Sequence, residues 1–338
     1  LKTLLISTWL VGVAFGVFAQ NINRTFVSYT LQNGTALIEV SDGTYKITPF
    51  TNQIVHTSFQ PQGVTLKKFS YAVSLKPGAA SFKADESAAG QIILNTDGMQ
   101  VVINKQPFNI SYHYAGNELI AEKNGYFRTD SLQGTTLVIE ENEVLYGGGT
   151  RVLGMNRRGN KLEMYNRAHY GYETHSPLMN FTMPLFISSK KYAVLFDNAS
   201  VGTLDLDSEK NNTIKYQTVG GTINYYVIAG NDWYNLNSEY TLLTGRQPLL
   251  PRWALGNFSS RFGYHSQREV LETVKKFEAD GIPLDAIIID IYWFGPGIFG
   301  HMGNLDWYRD SFPQPEQMIA ELKAKGVKTI LVTEPFIL

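Results

Sequence analysis

Ala286-Ile287-Ile288-Ile289-Asp290-Ile291-Tyr292-Trp293 is the stretch that decides the fold. A continuous apolar run, mostly β-branched, reads as a strand buried on both faces, the kind found in parallel sheets. An acid ends the run. A carboxylate at the C-terminal end of such a strand sits where α/β enzymes place their chemistry. On the N-terminal side, residues 254–258 read as a short strand. Ser266-Gln267-Arg268-Glu269 then reads as a capping box, in which the serine accepts from the Glu269 amide and the glutamate reaches back. Val270, Val274 and Phe277 share one face of the helix that follows, and Gly281 and Pro283 stop it. On the C-terminal side, a second helix begins near Pro315, turns Met318, Ile319 and Leu322 inward and ends at Gly326. Residues 327–332 form a third strand, followed by Thr333-Glu334-Pro335. The order strand–helix–strand–helix–strand implies a parallel sheet, doubly wound or closed into a barrel.

Upstream the period changes. Between about residues 26 and 229 the chain reads as short strands: 35–40, 67–75, 91–95, 100–104, 109–114, 135–140, 185–188, 193–196, 214–218 and 223–228. Asn33-Gly34, Asp42-Gly43, Pro77-Gly78, Asp97-Gly98 and Asn124-Gly125 supply turns. That spacing predicts an antiparallel sandwich. Residues 232–243 suit a helix with Asn231 as N-cap and Gly245 near its end. Residues 247–252, with prolines at 248 and 251, read as a linker.

Composition narrows the function. The formal net charge is −1, which argues against nucleic acid or an anionic membrane surface as partner. With 0 cysteines, a disulfide scaffold, a thiolate metal site and a cysteine nucleophile are excluded. The N-terminus reads as a secretory signal. Lys2 is its positive region, residues 4–18 are its apolar core, and Val17-Phe18-Ala19 precedes a cut ahead of Gln20. No membrane span is expected after that cut, and the protein is expected to be secreted or periplasmic.

The remaining constellations are tested one by one. Gly147-Gly148-Gly149 follows no parallel strand and has no Lys-Ser/Thr after it, so it reads as a bulge or close backbone approach rather than a phosphate loop. His169, Glu173 and His175 have the look of metal ligands. Gly171 between them opposes helical presentation, and a loop of ordinary hydrogen-bonding histidines is preferred. No Gly-x-Ser-x-Gly elbow is present. What is left is acids and aromatics at strand ends: Arg261-Phe262 after the first strand, Asp290 and Trp293 after the second, Glu334 after the third. Such a rim suits sugars, which present flat apolar faces to rings and hydroxyls to carboxylates. Neither a metal nor another cofactor is expected.

Taken together, Pro251-Arg252-Trp253-Ala254-Leu255-Gly256, Ser259-Ser260-Arg261-Phe262-Gly263-Tyr264, Gly281-Ile282-Pro283-Leu284-Asp285 and Asp290-Ile291-Tyr292-Trp293 resemble the start of the barrel in glycoside hydrolase family 31. Tyr146-Gly147-Gly148-Gly149, Asn156-Arg157-Arg158-Gly159 and Pro184-Leu185-Phe186-Ile187-Ser188 resemble that family's N-terminal sandwich. The resemblance implies a β-sandwich followed by the first three strands of a (β/α)8 TIM barrel, with a signal peptide at 1–19, the sandwich at 20–245 and the incomplete barrel at 246–338. It implies an exo-acting, retaining α-glycosidase or transglycosidase. Asp290 would bind hydroxyls of the sugar in subsite −1, Ile291 would line that pocket, and Phe262 would lie toward the leaving group. Trp293 and Glu334 join them as candidate substrate contacts. The sandwich loop at about 165–175 would lean over the mouth. The nucleophile and acid/base are expected beyond Leu338, so no catalytic carboxylate is assigned within the chain.

Many α-glucosidases of the family read Asp-Ile-Asp-Tyr where this chain has Asp290-Ile291-Tyr292-Trp293. Residues 292–295, 300–307 and 333–336 are instead similar to a bacterial branch that includes oligosaccharide 4-α-glucosyltransferases. The expectation is an exported enzyme acting on α-glucosidic oligosaccharides, by hydrolysis or transfer. An α-galactosidase or α-xylosidase of the same family is the alternative, and a non-catalytic carbohydrate-binding protein is the alternative of another class.

Overall fold

The computed structural model describes residues 24–64, 70–167, 176 and 179–333. The predicted signal at 1–19, the His169, Glu173 and His175 group and Glu334 lie outside the described residues. The chain divides into two compact units between Arg246 and Gln247.

The first unit is a sandwich of two antiparallel sheets, one of eight strands and one of nine. Period-two burial explains their facing. In Thr35–Val40, Ala36, Ile38 and Val40 point inward; in Met99–Lys105, Met99, Val101 and Ile103 do so from the other sheet. These residues share one core with Tyr45, Tyr112 and Tyr216. Most of the aromatic richness serves this core, as where the Phe196 and Tyr216 rings stack 4.3 Å apart. Tyr192–Phe196 breaks the alternation and is buried at every position. The reason is helix Trp233–Thr244, which sets Leu236 and Leu243 against Leu195, Tyr226 and Ile228 on the sheet's outer face. Asp232, not Asn231, caps this helix, accepting from the Asn235 amide at 2.7 Å.

A buried polar chain ties the sheets together. Thr57 Oγ1 and Tyr112 Oη are 2.6 Å apart, and Tyr112 and Tyr225 share a hydrogen bond of 2.9 Å. Tyr225 then donates to Glu122 Oε1 at 2.6 Å, and Tyr45 donates to Glu122 Oε2 at 3.0 Å. Arg24 closes the chain by donating to Tyr45 Oη at 2.9 Å. Glu122 reaches this place through a register shift, after which Thr136 faces Gly125 and Leu137 faces Glu122. Gly125 has φ +63°, and a Cβ there would meet Tyr45 Oη at 2.3 Å, so only glycine fits. The glycine run at 147–149 is likewise a bulge, with the pairing to Thr182–Ser188 shifting between Gly147 and Gly149.

The second unit holds three parallel strands in the order Phe258–Ser260, Ala286–Ile289, Lys328–Leu331. Helix Gln267–Ala279 links the first two and helix Pro315–Ala324 the last two. Their inward faces (Val270 and Val274; Met318 and Leu322) share a core with Ile287, Ile289 and Val327. The first strand begins later than the sequence suggests: Arg252–Leu255 is a 3-10 turn and pairing starts at Phe258. The run expected as a strand at 67–75 is not one over its described part, residues 70–75.

Candidate functional site

The register carries the end of each parallel strand to one rim. Ser260 pairs with Ile288 and Ile289 with Leu331, so residues 261 onward, Asp290 and Val332 follow at the same edge. This is the face on which barrel enzymes build their sites.

Asp290 is half-buried at the end of the middle strand. Its Oδ1 accepts the Ile291 amide at 2.7 Å and caps a short 3-10 turn, Ile291–Trp293. Its Oδ2 accepts no hydrogen bond from a described residue. One oxygen thus fixes the carboxylate at the strand end. The turn buries Ile291 and Trp293. Trp293 Nε1 donates to the Val332 carbonyl at 2.7 Å, joining the ends of the second and third strands. Its ring packs edge-on to Trp307, 5.3 Å away.

Phe262 is the opposite case. It is 71% exposed, and among the described residues its ring meets that of Tyr292 edge to face, with centroids 5.7 Å apart. The His265 ring also packs on Tyr292, with centroids 3.8 Å apart. Tyr264, at φ +61°, turns inward and shares a hydrogen bond of 2.7 Å with Ser259. The capping box forms with one change. Glu269 donates its amide to Ser266 Oγ at 3.3 Å, but its carboxylate accepts from the His265 amide at 2.8 Å and pairs with Arg261.

The structure therefore gathers Asp290, Ile291, Phe262 and Trp293 at one rim, with Ile291 and Trp293 in the core beneath it. Glu334 and most of the 165–175 loop are outside the described residues. Sequence reasoning did not single out Tyr292 and His265 as rim residues. The signal for Tyr292 was an aromatic two residues after an acid at a strand end. Among the described residues Asp290 is the one carboxylate directly following a parallel strand, and no group of three His, Cys, Asp or Glu side chains could hold a metal. No described helix is long and apolar enough to cross a membrane.

Two family models match the chain. Residues 44–205 match the glycosyl hydrolase 31 N-terminal galactose mutarotase-like domain, and residues 247–338 match the glycosyl hydrolases family 31 TIM-barrel domain. The chain belongs to glycoside hydrolase family 31. It spans little more than a third of the first of its curated relatives: it is 32% identical to alpha-glucosidase 2 of Bacillus thermoamyloliquefaciens over 87% of its own length and 37% of that relative's. It is 34% identical to an alpha-xylosidase of Saccharolobus solfataricus, over 58% of this chain and 26% of that one. A Flavobacterium johnsoniae GH31 dextranase, solved with glucose, shares the fold with a TM-score of 0.84 at 23% identity, over 93% of this chain and 39% of that one. The sandwich and partial barrel are thus the family's own architecture.

Proposed function

We propose that this chain is the N-terminal part of an exported, retaining exo-α-glycosidase that acts on α-glucosidic oligosaccharides, by hydrolysis or by 4-α-glucosyl transfer. The observation that carries the reading is Asp290: a carboxylate at the rim of a family 31 barrel, held through one oxygen by the Ile291 amide and with the other unpaired among the described residues. An anionic acceptor so placed makes charge-assisted hydrogen bonds to sugar hydroxyls. Phe262, exposed after the first strand and in ring contact with Tyr292, would offer an apolar face toward the leaving group. Retention requires two carboxyl groups roughly 5–5.5 Å apart, and these are proposed to come from strands beyond the three described.

The name of the Bacillus relative supports glucose. An α-xylosidase is a second reading, favoured by the name of the Saccharolobus relative and its 34% identity. The test is turnover of a panel of aryl α-glucosides, α-xylosides and α-galactosides by the full-length protein, with proton NMR of the sugar first released. The α-glucoside should be preferred and the α-anomer should form first. Release of the β-anomer, or sugar binding without turnover, contradicts the proposal, and preference for xyloside selects the second reading. Export is tested by sequencing the mature N-terminus, which should begin at Gln20.

A further inference from the structure

We propose that Glu269 is a positioning residue for substrate, acting through Phe262 by fixing both ends of the loop 261–265. The inference rests on the functional reading above, in which Phe262 meets the leaving-group side of the sugar. Little holds Phe262 among the described residues: it is 71% exposed, and its one ring contact there is with Tyr292. Its orientation is therefore set by the backbone on either side. Glu269 holds both sides at once. One carboxylate oxygen pairs with Arg261, immediately before Phe262. The other accepts the His265 amide at 2.8 Å and lies 3.5 Å from His265 Nδ1, three residues after Phe262. Arg261 is then laid against Tyr264, 5.1 Å from its ring centre, and His265 is held against Tyr292, two residues along the chain from Asp290.

The carboxylate stands on the first turn of helix Gln267–Ala279, so a rigid element sets the loop. A half-exposed ion pair of this kind adds little to stability. The geometry points instead to orientation: a capping-box glutamate that reaches past its own N-cap to clamp a loop bearing an exposed ring.

The test uses the full-length protein and a thermodynamic cycle of Glu269→Ala, Phe262→Ala and the double variant, with steady-state kinetics on an α-linked disaccharide. A misplaced contact group costs up to about 100-fold. The loop keeps its Ser259–Tyr264 tether, so Glu269→Ala should raise KM by about tenfold, with kcat within about twofold. In the Phe262→Ala background the same change should add less than about twofold, because its route to substrate is gone. Glu269→Gln keeps an acceptor for the His265 amide and should fall between wild type and alanine; it also serves the cycle if the alanine variant does not fold. A second readout needs no turnover. 4-Fluorophenylalanine placed at position 262 should give a sharp 19F line in the otherwise wild-type protein and a shifted, broadened one with Glu269→Ala. Kinetic effects that multiply in the double variant, a lowered melting temperature with unchanged KM, or an unchanged fluorine line overturn the proposal. Absence of turnover by the wild type overturns the functional reading and leaves the fluorine result to decide this one.

Discussion

Replacing Arg24 by methionine should be among the most damaging single changes in the sandwich. Its guanidinium uses all five N–H donors: Nε and Nη2 on Asp42 at 2.7 and 2.8 Å, Nη1 on Tyr45 Oη at 2.9 Å and the Asn124 carbonyl at 3.2 Å, and Nη2 again on the Tyr126 carbonyl at 2.8 Å. It also lies 4.7 Å from the centre of the Phe59 ring, and only 4% of its side chain is exposed. Methionine fills the volume but removes five hydrogen bonds at once, together with the positive charge that Glu122 feels. Removing one partner of a buried, hydrogen-bonded pair costs about 3–5 kcal/mol. For a unit of this size that is a fall in Tm of about 6–20 °C.

The loss should depend on pH. Burial pushes the Glu122 carboxyl up, while the Tyr225 hydrogen bond and the Arg24 charge pull it back. A carboxyl raised on folding contributes stability below its unfolded pKa and loses it as pH rises through the folded one. Without Arg24 that rise is larger, so the variant should lose more stability at pH 7.5 than at pH 5. Urea denaturation of both proteins at the two pH values measures this. A loss under about 1 kcal/mol, or one equal at both pH values, refutes the reasoning.

Three further outcomes are expected. Trp293→Phe removes the donor to the Val332 carbonyl and should cost about 1–3 kcal/mol in chemical denaturation, with the kinetic constants of the folded protein little changed; the reverse pattern would make Trp293 a substrate contact. Burial between Phe50 and Tyr226 pulls the His56 imidazole down to about 4, so stability should fall as pH drops from 6.5 through 4, and His56→Leu should flatten that fall in a pH series of melting temperatures. The 338-residue chain alone should not turn over nitrophenyl α-glucoside, because its three parallel strands bring one carboxylate rather than two to the described rim; measurable turnover would place a catalytic pair within it.

The fold was legible where burial dictates pattern. The apolar run before Asp290 could only be a strand covered on both faces, and the Ser266 cap and Pro315 start are local signals that survive any packing. The sandwich was readable from alternation, as in Thr35–Val40. Where tertiary packing overrides the local code, the reading slipped. Asn231 and Asp232 are both good caps, but Asn231 Oδ1 accepts from the distant Tyr114 hydroxyl and Asp232 takes the cap. Ala254 to Phe258 has strand-like residues, but Pro251 opens a 3-10 turn there. At the rim, Asp290 and Phe262 were singled out because acids and rings at strand ends stand out. Tyr292 and His265 were not, since their meeting depends on a left-handed residue, Tyr264, that no propensity announces. The reach of Glu269 past its own cap is likewise a matter of loop geometry.

The central claim is that Asp290 is a substrate-binding carboxylate and not merely a cap, and Asp290→Asn separates the two. Asparagine caps as well as aspartate and can keep the 2.7 Å bond to the Ile291 amide, so stability should change by less than about 0.5 kcal/mol. The charge is lost, and hydrogen bonds to a charged acceptor contribute about 1.5–3 kcal/mol each. At 1.36 kcal/mol per decade, kcat/KM of the full-length protein on its α-glycoside should fall about 10- to 150-fold. Measured on one preparation, a fall of that order with an unchanged melting temperature is the result the account predicts. Unchanged kcat/KM with a melting temperature several degrees lower would contradict it and leave Asp290 as scaffold.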